Sequence, residues 1–349
     1  MSDLSQLLQQ LAERTSELES EDAWPAEQFK LLAESGVLGW VIPKQFGGSE
    51  ISGEELIDGY LQLSKACLVT AFVLTQRNGA CQRIANSENE QARETLLPRL
   101  CAGELFATVG ISHLTTSRQH LAKPAVQVSE TDRGFVFNGL VPWVTGAKFA
   151  DLIVTGGTLD DGRQVLAAID TTLPGITIAD AAKLMALNAS QTGFVTLNDA
   201  EVPREALLFG PVEEVMKQGP AGGTGSLTTS ALALGSALNS IEQIGIESEK
   251  RPDLVAIYDS LNAEHQAIRN DMDNSGIEGS PHNAESIRQR SNSLVLRASQ
   301  AYLAASKGAG FVVGHAAGRA VRESMFFLVW SCPQPVLNAA LREFACMID

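Results

Sequence analysis

The chain has 349 residues, a formal net charge of −15, 44% hydrophobic residues and 6% aromatics. That length exceeds one simple core, and acidity with no basic stripe excludes a nucleic-acid partner held through its phosphates. The five cysteines, Cys67, Cys81, Cys101, Cys332 and Cys346, are scattered and form no CxxC pair. They point away from a disulfide framework or a zinc site and toward free thiols in a reducing cytoplasm. No apolar run approaches the ~20 residues that span a bilayer, and no basic start followed by an apolar core marks a secretory signal.

In chain order, the first hundred residues read as helices. Leu4, Leu7, Leu8, Leu11 and Leu18 fall near helical spacing, with Glu and Gln opposite. A second helix is expected from about Ala26, with Gly36 placed to end it. Pro43 and the Gly47-Gly48 pair break the apolar stretch that follows. Ser52 with Glu55 resembles a capping box, and Ser87 with Glu90 gives the same signal before QARETLLPRL. From about Gly103 to Pro211 the pattern changes to short runs of Val, Ile, Phe and Thr between Gly, Asp and Asn. These include AVQVSE, GFVFNGLVPWVT, DLIVTGGTL, VLAAID, GITIAD and GFVTLNDAEV. Alternation of apolar and polar residues in several of them predicts antiparallel strands.

Helical pattern returns after Gly210. GPAGGTGS reads as a flexible entry loop, followed by LTTSALALGSALNSIEQIGIE, a long helix whose Gly and Ser allow close packing. LVAIYDSLNAEHQAIRNDM and AESIRQRSNSLVLRASQAYLAASKG follow as further helices, joined by the turn-rich NSGIEGSPHN. Long helices with short links imply an up-down bundle. The expected fold is therefore α+β and mostly helical. An N-terminal helical domain (1–102) precedes a middle antiparallel β domain (103–211) and a C-terminal helical bundle (212–349). Neither a Rossmann glycine fingerprint nor a P-loop is present.

This order, together with several local stretches, resembles the acyl-CoA dehydrogenase family. LLAESGVLGWVIPKQFGG, ENEQARETLLPRLCAGE, VFNGLVPWVTGAKFADLIVTG and LNDAEVPREALLFGP are similar to family segments and run in the same order. The resemblance implies FAD between the β domain and the bundle, an acyl-CoA or related thioester as substrate, and an electron-accepting protein. It also implies a homodimer or homotetramer in which a neighbouring subunit completes the FAD site. In the most specific stretch, Trp143 matches the aromatic residue that packs on the isoalloxazine, and Thr145 the hydroxyl that bonds its N5. A flat aromatic shields a planar π-system, and a hydroxyl at N5 helps set flavin electronics. Ile111 and Ser112 take the place of the backbone and hydroxyl contacts to the flavin pyrimidine. His113 stands where the family has an acidic residue and is a candidate substrate contact.

The resemblance also exposes departures. Counting without gaps from GAGF through Arg322-Glu323 places Trp330 at the family's tyrosine and Ser331 at its catalytic glutamate. A neutral hydroxyl does not replace a carboxylate as base unaided. The alternative base position, on the first bundle helix, offers only Thr228 or Thr229. Glu323 stands at a structural aspartate of the family and is expected to form an ion pair. The arginine-x-phenylalanine-glycine pattern for the FAD pyrophosphate is missing, Arg251 being the nearest cation. Three functions are consistent with this pattern. The first is an FAD-dependent oxidoreductase acting on an acyl thioester. The others are a flavin-dependent monooxygenase on the same fold and a non-catalytic thioester-binding or scaffold relative.

Overall fold

The computed structural model describes residues 4–115, 123–218, 227–275 and 283–347. GPAGGTGS, most of NSGIEGSPHN and the end of GISHLTTSRQH lie outside the described residues. Helices α1 (Leu4–Glu13), α2 (Ala26–Glu34), α3 (Gly53–Ala66), α4 (Leu68–Ala85) and α5 (Glu90–Ala102) come first. Next are β1 (Ala107–Gly110), the single turn α6 (Ser112–Thr115), β2 (Val126–Thr131) and β3 (Gly134–Val144). Strands β4 (Leu152–Thr158), β5 (Gln164–Asp170), β6 (Ile176–Ile178), β7 (Gly193–Pro203) and β8 (Leu207–Val212) complete the sheet. The C-terminal helices are α7 (Thr228–Ser248), α8 (Val255–Asp273), α9 (Ala284–Ala305), α10 (Lys307–Gly310), α11 (Ala316–Ser324) and α12 (Gln334–Phe344).

Local chemistry explains the boundaries. Gly36 adopts φ +75° just beyond α2, a conformation that costs glycine little. Ser52 caps α3: its Oγ accepts from the Glu55 amide at 3.2 Å, and Glu55 Oε2 accepts from the Ser52 amide at 2.8 Å. The start of α5 differs from the Ser87–Glu90 reading. Asn89 is the cap, its Oδ1 accepting from the Ala92 amide at 2.9 Å, while the Ser87 hydroxyl donates back to the Ile84 carbonyl. Ser87 belongs to the end of the preceding helix, and Asn89 is an equally good capping residue two positions later. Leu18 lies in a 3-10 turn at Thr15–Glu19, beyond the end of α1.

The eight-stranded sheet runs β6-β7-β3-β2-β4-β5-β8, with β1 also on β4. Most pairings are antiparallel; β1 and β2 pair with β4 in parallel. Strands β4 and β5 are buried along almost their whole length, and alternate residues serve two cores. Ile153, Val165, Ala167 and Ile169 join Phe135, Phe137 and Val195 in a core within the sheet. Leu152, Val154, Leu166 and Ala168 face Ala80, Cys81 and Ile84 of α4 and Leu97 and Leu100 of α5.

The third core joins the two ends of the chain. Leu7, Leu61, Leu63, Phe72 and Leu74 pack with Leu232, Leu234, Ile241, Ile268, Leu294 and Phe327. Helix α4 therefore presents Leu68–Leu74 to the helices and Ala80–Ile84 to the sheet. Close approach of α3 and α7 depends on Gly235, where a Cβ would lie 2.2 Å from the Leu61 carbonyl oxygen. Beside it, the Ser64 hydroxyl donates to the Leu232 carbonyl at 2.7 Å. This is the close packing that the Gly and Ser residues of α7 predict.

Candidate active site

The resemblance placed two roles on the end of β3, and the backbone there is unusual. β3 is in register with β7 at Val141↔Val195 and again at Val144↔Gly193. Pro142 and Trp143 thus occupy a stretch where β7 supplies only Phe194, a bulge with one extra residue on β3. Trp143 adopts φ +58°, a left-handed conformation that costs a non-glycine residue about 1–2 kcal/mol. The bulge turns its ring outward, where it is 50% exposed and lies 5.5 Å from the Phe194 ring centre.

Thr145, two residues on, is buried. Its Oγ1 lies 3.1 Å from Thr192 Oγ1, which in turn lies 2.8 Å from Ser190 Oγ. Three hydroxyl hydrogens serve two contacts in this chain, so one remains for a further acceptor. The Ser190 carbonyl also accepts from the Gly146 amide at 2.9 Å. Ser112 reaches the same bulge from α6, its Oγ donating to the Pro142 carbonyl at 3.0 Å. Ile111 is half-buried and packs on the core beneath β1. The structure thus brings Ser112, Trp143 and Thr145 to one place. His113 is turned the other way: it is buried, with Nε2 2.9 Å from the Gly156 carbonyl on β4.

At the end of the bundle, Trp330 packs edge-on to Phe72 of α4 at 4.9 Å and stacks on Phe326 at 5.0 Å. The Arg288 Nη2 donates to the Trp330 carbonyl at 3.0 Å, and Asn292 Nδ2 to the Phe327 carbonyl at 2.9 Å. Helix α9 thereby holds this segment in place. Ser331 follows in the left-handed region, φ +43°, and is exposed. No residue from Val329 to Gln334 is a carboxylate.

Comparison with known proteins agrees with the fold. The family model described as acyl-CoA dehydrogenase, N-terminal domain, matches residues 6–104. The acryloyl-CoA reductase (NADH) of Anaerotignum propionicum is 29% identical over 197 residues, 55% of this chain and 50% of that protein. In sequence the chain spans about half the length of the curated relatives it matches. In structure it is similar to the butyryl-CoA dehydrogenase of Megasphaera elsdenii, with a TM-score of 0.82 and 18% identity, covering 100% of this chain and 99% of that one. TdsC from Paenibacillus sp. A11-2, solved with FMN and indole, shares the fold at TM-score 0.81 and 16% identity, covering 99% of this chain and 95% of that chain.

Residues 6–104 are an acyl-CoA dehydrogenase N-terminal domain, and the chain as a whole has the fold of that family's solved members.

The shared domain and fold make the remaining differences informative. Arg251 precedes α8 but is engaged at both ends of its guanidinium. Nη1 donates to the Ala305 carbonyl at 2.6 Å and Nη2 to Asp253 at 3.2 Å. Thr228 and Thr229 open α7; they bring hydroxyls and no carboxylate to this acyl-CoA dehydrogenase relative. The expected ion pair of Glu323 is not formed. Its neighbours Arg319 and Arg322 both turn to Glu19, at 2.6 and 3.1 Å. A carboxylate from the Thr15–Glu19 turn, about 300 positions away, captures both guanidinium groups.

Glu323 is left half-buried, without a hydrogen bond or ion pair among the described residues. Burial pushes its carboxyl up to about 7. Arg319 and Arg322 pull it down and Glu19 pushes it further up. The group lines a cavity of about 70 Å³ with Thr15, Leu18, Val69, Leu187 and Asn188. Ser190 and Thr192 are functional candidates that the sequence reading did not single out. Their only signal is the hydroxyl spacing in NASQTG just before β7, a pattern too common to stand out alone.

Proposed function

We propose that this chain is a flavin-dependent oxidoreductase of the acyl-CoA dehydrogenase type that acts on an acyl thioester. The observation that carries the reading is the bulge of β3. A half-exposed indole held in a left-handed conformation stands beside a buried chain of hydroxyls with one unassigned hydrogen. Strain of this kind persists where surrounding structure over-determines it and gathers at functional sites. The residues fit an isoalloxazine ring. Trp143 would cover one face, Thr145 would donate to its N5 edge, and Ile111 and Ser112 would border its pyrimidine. When bound, the flavin supplies hydride acceptance; the chain's residues orient it and keep water from its face. The dinucleotide end of FAD has less support, because Arg251 already has two partners.

The reading includes a homodimer or homotetramer, an electron-accepting protein as partner, and helical, strand and helical domains divided near 102 and 211. His113 has no place in it as a substrate contact, since its Nε2 is bonded to the sheet backbone. The deciding experiment is an absorbance spectrum of protein purified with added FAD, followed by anaerobic titration with acyl-CoA thioesters of graded length. Bound flavin that bleaches is the expected result; bound flavin that stays oxidised with every thioester would overturn the substrate class.

A second reading is favoured by Ser331. An exposed hydroxyl in a left-handed turn stands where the family's base is expected, and oxygen chemistry on reduced flavin needs no α-proton removed. Oxygen consumption by the photoreduced protein, coupled to hydroxylation of an added substrate, would support a monooxygenase. Protein that takes up no flavin would support the non-catalytic relative.

A further inference from the structure

We propose that Glu323 is the proton acceptor of this site, taking the α-proton of a thioester whose acyl end enters the cavity between the 15–19 turn, the 185–190 segment and α11. The inference rests on the thioester reading above. Its first support is the state of the cavity's polar groups. Thr15 donates to the Leu11 and Ala66 carbonyls, and Asn188 exchanges bonds with the Leu184 backbone. Arg319 and Arg322 share Glu19. Among the polar side chains that line the cavity, Glu323 has no such bond within the described residues. Its oxygens are not sealed off in the core but face the cavity, where a ligand could reach them.

The second support is the shape of the cavity. Leu18, Val69, Ala186 and Leu187 supply apolar wall, and Met185, 62% exposed, stands at its rim. A space of about 70 Å³ is on the scale of a short acyl end. Asn188 lines the cavity. It opens the 188–190 turn, and Ser190 at the other end of that turn joins the hydroxyl chain to Thr145. The cavity and the proposed flavin face thus lie at opposite ends of one three-residue turn.

The charges suit the step. The Cα–H bond breaks, its electron pair stays on the thioester as the enolate, and the proton passes to a Glu323 carboxylate oxygen. Two guanidinium groups opposed by Glu19 alone then leave one positive charge beside the developing anion, where fixed charge acts most strongly. Glu19, Arg319, Arg322 and the Cys67 thiol are the titratable and charged groups facing Glu323. Its position near 7 suits a base that must be ionised yet still hold a proton.

The test uses the purified full chain and two readouts. The first is exchange of the α-proton of butyryl-CoA, and of phenylacetyl-CoA (which has no hydride to lose at Cβ), into deuterated water. Glu323→Gln is expected to slow exchange at least about 100-fold, with Glu323→Asp between the two and the wild-type rate rising through about pH 7. The second readout is carboxyl NMR of protein labelled in glutamate. The signal missing from Glu323→Gln should titrate near 7 and move when the thioester is added. Exchange slowed less than tenfold, or a Glu323 signal indifferent to thioester, would overturn the assignment. Thioester-driven bleaching equal in Glu323→Gln and wild type would overturn the base and leave the proposed function standing. Wild type that neither bleaches nor exchanges would overturn both.

Discussion

The β3 bulge and the end of the bundle handle polar groups in opposite ways. At the bulge every hydroxyl has a protein partner, with one hydrogen to spare: Thr145, Thr192 and Ser190 form one chain, and Ser112 holds the Pro142 carbonyl. The strained residue there is the one that projects outward, Trp143. At the bundle end the backbone is tied, through Arg288 and Asn292, while the polar side chains Ser331 and Glu323 have no such bond among the described residues. A preorganised receptor for a flat group shows the first pattern, since its donors must already point one way before the ligand arrives. An unpaired carboxyl beside two guanidinium groups shows the second, since a proton acceptor must keep its oxygens available. The pairing of Arg319 and Arg322 with Glu19 is what makes this availability stable.

The largest way to break the bundle end is to remove the ring on which it rests. Phe72 is 5% exposed and touches both Phe326 and Trp330. Phe72→Ala should destabilise the protein by about 3–5 kcal/mol, read as a shift in the urea midpoint.

Next is the pH dependence of Glu323. Its folded value, about 7, lies above the ordinary 4.5. The group's contribution is therefore fully present below about pH 4.5 and lost as pH rises through 7. That loss amounts to about 3 kcal/mol. Glu55, Asp161 and Asp180 are lowered by their hydrogen bonds and act in the opposite sense at acid pH. Denaturation of wild type and Glu323→Gln from pH 4 to 9 isolates the Glu323 share as the difference between the two curves. Parallel curves would show that Glu323 titrates normally.

Thr192→Val cuts the hydroxyl chain at its centre. A cost of about 1–2 kcal/mol is expected, with a larger effect on the flavin spectrum than on the melting temperature. Trp143→Gly should change stability least, by less than about 1 kcal/mol. Relief of the left-handed conformation offsets the lost contact with Phe194. Flavin affinity measured on the same variant should fall clearly. A loss of stability without a loss of affinity would make Trp143 a packing residue.

Much of the fold was legible in particular residues. The capping box at Ser52, the stop at Gly36 and the strand run GFVFNGLVPWVT each have a local cause, and each appears where expected. The Ser87 reading was displaced to Asn89 because two capping residues stood two positions apart and only packing chose between them. The parallel pairing of β1 and β2 with β4 was not legible. Strand period reveals which face a residue takes, but not which neighbour lies beside it. Likewise, Trp143 and Thr145 could be marked from a resemblance, whereas their partners Thr192 and Ser190 lie more than forty positions later.

The amino-acid sequence by itself determined the order of helices and strands, the likeness of its first hundred residues to the acyl-CoA dehydrogenase N-terminal domain, and the hydroxyl at position 331. These depend on local periodicity, turn chemistry and residue identity. Only the tertiary structure decided that Trp143 turns outward on a bulge, and that Glu19 takes both arginines beside Glu323. Such facts depend on which distant charge and which neighbouring strand arrive at the same place. No local pattern records that, because the competing partners of Arg322, Glu19 and Glu323, differ by position in space and not in chemistry.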